Sequence, residues 1–162
     1  MGTPVDLGDG WLVTVLSIMP DATQTILKEN MFNDPPKAGN QFFMARVRVS
    51  YNGGGSKSFG GSFRLRAMGP SAIGYSTFEN SAGVTPDPLP DSEVFSGGSI
   101  EGNIAWQIKS SDASSLVMYD SPLFSSSDRT YMAFYGGPIA YSSLFSSDKE
   151  WAQKGYGKMG RY

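Results

Sequence analysis

The sequence predicts an all-β protein, an antiparallel β-sandwich of about seven strands with a short helix after the first strand and a C-terminal extension. Three observations lead there. Two long segments alternate apolar and polar residues with a period of two, as a strand with one buried side does. Turn residues are frequent, with 20 Gly and 10 Pro among 162 residues, which favours short strands over long helices. Hydrophobic residues make up 40% of the chain, enough for the core of one domain without disulfide staples.

The elements follow in order. Trp11–Ile18 is a β-rich run, entered through Gly8-Asp9-Gly10 and ended by Pro20. Asp21 is placed to cap a short helix over Ala22–Glu29, with Ile26 and Leu27 packing inward. Asn33-Asp34-Pro35-Pro36 then breaks regular structure. Between Phe42 and Tyr51 the alternation is clearest: Phe43, Ala45, Val47, Val49 and Tyr51 share one face, Met44, Arg46, Arg48 and Ser50 the other. Asn52 and Gly53–Gly55 read as a hairpin turn, because glycine takes positive φ at little cost. A following strand carries Phe63, Leu65 and Ala67 inward between Arg64 and Arg66. Gly74–Phe78 suits another short strand. Thr85–Asp91, TPDPLPD, cannot sit inside a sheet, since its three prolines lack donors. Ile100, Gly102, Ile104, Trp106 and Ile108 then alternate with polar or small neighbours, which makes a long strand with a buried Trp. Leu116–Tyr119 and Thr130–Tyr135 complete an immunoglobulin-like sandwich over residues 1–136. Residues 137–162 lose the alternation and become aromatic and basic; Ser147 and Glu150 have capping-box spacing, predicting a short helix over 148–154.

Composition narrows the chemistry. There is no Cys and no His, which excludes disulfides, thiolate nucleophiles, Ser-His-Asp catalysis and most transition-metal sites. What remains is carboxylate pairs, Ser-Lys, Tyr or a hard metal on oxygen ligands, and no cofactor is expected. A formal charge of −2 provides no field to gather nucleic acid or an anionic membrane. No run approaches the roughly 18 apolar residues that span a bilayer, so no membrane insertion is expected. The first residues lack the basic-then-apolar pattern of a secretion signal. Synthesis without a signal and a trimmed form both fit.

Each candidate site has a plainer alternative. Arg46, Arg48, Arg64 and Arg66 would line one face if their strands pair, ready for carboxylates or phosphates; a solvated face covered by long side chains is the simpler reading. Asp87, Asp91 and Glu93 are weak calcium candidates, since acidic turn residues are ordinary and their spacing matches no EF-hand. Asp112, Asp120 and Asp128 lie in Ser-rich turns and read as Asx-turn formers. Gly53–Gly55 with Ser56-Lys57-Ser58 lacks phosphate-loop spacing. Phe43, Val47, Ile104 and Trp106 are the predicted core. Tyr141, Phe145, Trp151, Tyr156, Arg161 and Tyr162 are the predicted partner contacts, on an arm that docks on a neighbouring subunit or packs back on its own sandwich.

Four stretches, WLVTVLSIMPDAT, ENMFNDPPKAGNQFFMARVRVSY, GVTPDPLPDSEVFSGGSIEGNIAWQI and SSDASSLVMYD, occur in one order over roughly residues 9–135. Together they resemble an actinobacterial immunoglobulin-like family of unknown function, related to the mycobacterial secreted immunoprotective antigen. The resemblance implies an exported or surface-anchored sandwich with no catalytic residues to carry over. Many members bear the name telomeric repeat-binding factor 2, to which nothing here corresponds: no basic segment resembles a DNA-reading helix. Relatives carry an apparent cysteine pair, a disulfide by implication, where this chain has Ala82 and Ala105. Loss of both suits folding in a reducing compartment. The sequence therefore leads to a non-catalytic structural or interaction module whose partners are protein subunits of an assembly, self or hetero, with no nucleic acid. A bacteriophage virion protein, assembled in a bacterial cytoplasm, is the first expectation. A secreted or cell-surface domain binding a protein or glycan is the second.

Overall fold

The computed structural model describes residues 1–60, 64–121 and 129–135. Predicted features on the arm 137–162, including its helix and six contact residues, lie outside them, as do Phe63 and Asp128. The described residues form ten strands, one α-helix and one 3-10 helix. In chain order these are β1 (Val5–Gly8), β2 (Trp11–Met19), α1 (Thr23–Glu29), β3 (Asn40–Tyr51), β4 (Ser56–Ser58), β5 (Leu65–Met68), β6 (Gly74–Tyr75), β7 (Glu93–Phe95), β8 (Ser99–Lys109), the 3-10 helix Ser110–Ser115, β9 (Val117–Asp120) and β10 (Tyr131–Ala133).

They make an antiparallel β-sandwich. One sheet has the order β1-β2-β3-β8, the other β10-β9-β5-β6, and β4-β7 form a separate two-stranded ribbon. Taking β2, β3, β8 as A, B, E and β10, β9, β5, β6 as G, F, C, C′ reproduces the immunoglobulin order. The inner faces are those the alternation predicts. Phe43, Ala45, Val47, Val49 and Tyr51 of β3 and Ile104, Trp106 and Ile108 of β8 are buried in one core with Leu65, Ala67 and Met118 of the opposite sheet. Phe134 packs against Phe43 at 4.9 Å and Trp106 at 6.1 Å between ring centroids, so aromatic bulk joins the sheets.

The helix follows the second strand, because Val5–Gly8 pairs with β2 through the Gly8–Gly10 turn. Asp21 accepts the Thr23 N–H at 3.1 Å. Ile26 is fully buried and Leu27 partly so. With Ala22, Ile26 covers Phe42, Met44, Ala82 and Ala105 in a second, outer cluster; Met44 and Ala105, polar-side positions by alternation, are buried for this reason.

Two sequence expectations are corrected. Gly53–Gly55 do not join a hairpin: β4 pairs with β7, while β3 lies between β2 and β8. The Tyr51 C=O instead accepts from Gly97, and its N–H donates to Gly98. Nor do the four arginines share a face, since β3 and β5 belong to different sheets. Arg46 pairs with Asp87 at 2.6 Å and Arg48 with Glu101 at 3.1 Å, the latter as direct cross-strand neighbours. Arg64 grips the buried Asp120 with two bonds, 2.6 and 2.9 Å.

Candidate interaction surface

The site lies where residues 77–89 meet the edge of β8. This segment leaves β6, follows the outer side of the first sheet, and is fastened to β8 at two places. The Gln107 N–H donates to the Asn80 carbonyl at 2.8 Å. Further along, the Asn103 N–H donates to Asp87 O at 2.8 Å and the Leu89 N–H to Asn103 O at 2.9 Å, an isolated parallel bridge centred on Pro88 and Asn103. The Asn103 side chain adds a bond to the Pro86 carbonyl at 2.7 Å. The proline-rich stretch thus borders a sheet instead of entering it, as its missing donors require.

Gly102 allows this crossing. A Cβ there would meet the main chain of Leu89 and, at 2.6 Å, the carbonyl carbon of Pro88, so the inward position on β8 is filled by the strap's own backbone. Leu89 is buried in the main core.

Between the two fastenings is an open cleft of about 370 Å³, bounded by residues 77–89 and by Asn103–Ala105. Phe78, 78% exposed, and Val84, 51% exposed, line it. Asn33 holds the turn after α1 beside it. Its Nδ2 donates to the carbonyls of Ile26 (2.7 Å) and Val84 (2.9 Å), and its Oδ1 accepts the Val84 N–H at 2.7 Å. Gly83, at φ +76°, faces this side chain so closely that a Cβ would collide with it. The anchored turn presents Met31 and Phe32, 87% and 83% exposed. Phe78 and Val84 on the cleft, with Met31 and Phe32 on the turn tied beside Val84, expose apolar surface of the kind that soluble proteins rarely leave bare without a use.

Two of the three calcium candidates, Asp87 and Glu93, are otherwise engaged, and Asp91 is not gathered with them. Asp87 is held by Arg46, and Glu93 accepts from Ser56 Oγ at 2.5 Å. Among the described residues no three acidic groups gather as cation ligands. Asp112 and Asp120 are not turn formers. Asp120 lies in β9 under Arg64, and Asp112 is buried in the 3-10 helix, where it accepts from the Ser71 hydroxyl, the Ser71 N–H (3.1 Å) and Tyr75 Oη (2.7 Å). Burial is the main cause that raises Tyr75 above the ordinary tyrosine range. The predicted core residues Phe43, Val47, Ile104 and Trp106 are all buried.

Sequence reasoning did not single out Met31, Phe32, Phe78 or Val84. Phe78 was absorbed into an expected strand that ends at Tyr75. A usable signal existed at Met31-Phe32: two large apolar residues between Asn30 and Asn33-Asp34-Pro35-Pro36 have no periodic partner.

With this geometry in place, comparison with known proteins adds a frame. No family model matches the chain, and no curated protein matches its sequence. Solved structures do. The chain is similar to a candidate lipoprotein of Bacillus subtilis, at 13% identity over 95% of this chain and 46% of that one, with a TM-score of 0.55. The likeness shows the fold. This chain spans under half of that protein's length. It is also similar to the secreted protein MPT63 of Mycobacterium tuberculosis, at 16% identity over 70% of this chain and 75% of that one, TM-score 0.46. A β-sandwich protein of Clostridium difficile matches at 10% identity over 83% and 91%, TM-score 0.49.

Proposed function

We propose that this chain is a non-catalytic, immunoglobulin-like module of the cell surface or extracellular space that binds a protein partner through the patch around the β8 cleft. The observation that carries the reading is the exposure of Phe78 and Val84 on one opening, with exposed Met31 and Phe32 on the adjoining turn that Asn33 ties to Val84. The scaffold beneath is rigid, so the patch is presented without a large ordering cost on binding. The non-catalytic part is supported by the two buried carboxylates, Asp112 and Asp120, whose oxygens are taken up by Ser71, Tyr75 and Arg64. The extracellular side is supported by the candidate lipoprotein neighbour; nothing in the comparisons supports the virion expectation. Membership in the actinobacterial family is supported by Ala82 and Ala105, which share one buried cluster, as a cysteine pair in relatives would need. No helix among the described residues is long and apolar enough to cross a membrane.

The test is a double variant, Phe32→Ser with Phe78→Ser, compared with Arg48→Ala as a surface control. A partner isolated with the wild-type chain and then purified is titrated against all three. The reading expects at least a tenfold loss of affinity, about 1.4 kcal/mol, for the serine variant alone, with unchanged thermal stability. Equal binding by all three proteins would refute it.

A further inference from the structure

The two sheets are buried differently. In β2, buried and partly exposed positions alternate from Trp11 to Leu16, as in a layer with one face toward solvent. In β9 all four residues are buried. The register sorts them by side. Met118 pairs with Ala67 and Met132 and shares the core with both. The rows on either side of it, Tyr131–Tyr119–Arg66 and Ala133–Val117–Met68, therefore point outward. Gly74, opposite Met68, agrees with this, since a Cβ there would meet the Tyr119 hydroxyl at 2.8 Å. Met68, Val117, Tyr119 and Tyr131 are nevertheless only 3%, 1%, 4% and 1% exposed. None of the four belongs to either core cluster, and the described elements that chiefly contact β9 are its sheet neighbours β5 and β10. The Arg129 guanidinium lies over the Tyr119 ring at 5.3 Å, too little to cover two rows. Burial on the outer side of a two-layer sandwich calls for a third layer.

We infer that residues 137–162 are that layer and dock in cis across the outer face of the second sheet. Continuity with the face is the first argument. β10 is the edge strand of this sheet, and the chain leaves it just past Ala133, which begins the row of Val117 and Met68. Met68 is two strand spacings away, about 10 Å, while the 26 residues of the segment could reach up to ~90 Å when extended. Composition is the second. Tyr141, Phe145, Trp151, Tyr156 and Tyr162 are side chains that each bury about 150–250 Å², and Arg66 and Arg129 at the margin of the face suit aromatic neighbours, on which guanidinium groups stack. Residues 122–128 fit less well: they join β9 to β10 at the Tyr119 end, away from Val117 and Met68, and bring only Leu123 and Phe124 as large apolar side chains. Tethering decides between cis and trans. A segment attached at the edge of its own face acts at an effective concentration on the order of mM, which a neighbouring molecule at lower concentration does not match. This inference is independent of the β8 cleft, which lies on the other sheet.

Paramagnetic broadening in the full chain tests it. The sequence has no Cys, so Ser143→Cys and, separately, Ser146→Cys each give one attachment point for a nitroxide. In isotope-labelled protein carrying either nitroxide, the amide signals of Val117, Tyr119 and Ala133 should lose most of their intensity relative to the reduced, diamagnetic label. Those of Thr14 and Arg48, paired on the outer face of the first sheet, should keep theirs, because the sheets stand about 10 Å apart and broadening falls with the inverse sixth power of distance. A second sample mixes unlabelled chains that carry the nitroxide with isotope-labelled chains that do not, and its signals should be unchanged. Selective loss with either attachment point, confined to the first sample, supports the cis cover. No selective loss with either one would overturn it, and loss at Val117 and Tyr119 in the mixed sample would assign the cover to a neighbouring chain instead.

Discussion

Replacing Gly102 with Ala would test the link between the strap and the fold. The added Cβ has no room: it meets the main chain of Pro88 and Leu89, and neither backbone can yield while the strap stays fastened. Lifting the strap breaks three hydrogen bonds, Leu89 N–H to Asn103 O, Asn103 N–H to Asp87 O and Asn103 Nδ2 to Pro86 O. Each has a net value of about 0.5–1.5 kcal/mol. Leu89 leaves the core, at about 1.5–3 kcal/mol. The Arg46–Asp87 pair is exposed and adds little. Against this, Ala gains about 0.5–1 kcal/mol over Gly in a strand interior. The net expectation is a loss of about 2–7 kcal/mol, a large share of the ~5–15 kcal/mol that holds a typical domain together. Urea unfolding followed by tryptophan fluorescence gives the magnitude, and hydrogen exchange at Leu89 and Asn103 gives the location. An unchanged urea midpoint with undiminished protection at both amides would show that the strap is not seated on β8 as described.

Two further outcomes are expected. Tyr75 and Tyr135 are both raised above the ordinary tyrosine value, with burial the main cause. Their contribution to stability is complete below the unfolded value of about 10 and is lost as pH rises through the folded one. Stability should fall above about pH 10, less steeply in Tyr75→Phe than in the wild type; identical alkaline slopes would contradict the assignment. Separately, Ala82→Cys with Ala105→Cys should oxidise to an intramolecular disulfide, titrating no free thiol and stabilising the fold by roughly 3 kcal/mol. Two titratable thiols persisting under oxidation would put the two positions too far apart to be bridged.

The long strands were legible because their burial is one-sided. Phe43 and Val47, like Ile104 and Trp106, occupy every second position of runs long enough for the period to be unmistakable. Pairing was not legible. Gly53–Gly55 has the composition of a hairpin, yet β4 joins β7, and nothing in a strand's own period names its neighbour. The arginines failed for the same reason: Arg46 and Arg48 alternate as Arg64 and Arg66 do, but the two strands belong to opposite sheets. Asp112 reads as a turn residue because its partners, Ser71 and Tyr75, are distant in sequence. The candidate site was the least visible part. Phe32 and Phe78 stand in irregular segments, where no period singles them out.

The proline-rich strap explains how the edge of β8 is protected. A bare edge on a strand as long as β8 would invite pairing with another chain. A conventional neighbouring strand would close it completely. Pro86, Pro88 and Pro90 leave only Asp87 and Leu89 among them with an N–H, so the strap makes one bridge at Asn103 and cannot propagate into a ladder. Asn80 caps the edge at Gln107, and Ala105 is left between the two. Between the two fastenings Ala82 packs with Ala105 in one buried cluster, so the edge is blocked against long, indiscriminate pairing without a second ladder. The same absence of proline N–H groups that keeps TPDPLPD out of the sheet therefore lets it guard the edge of β8 without extending the sheet.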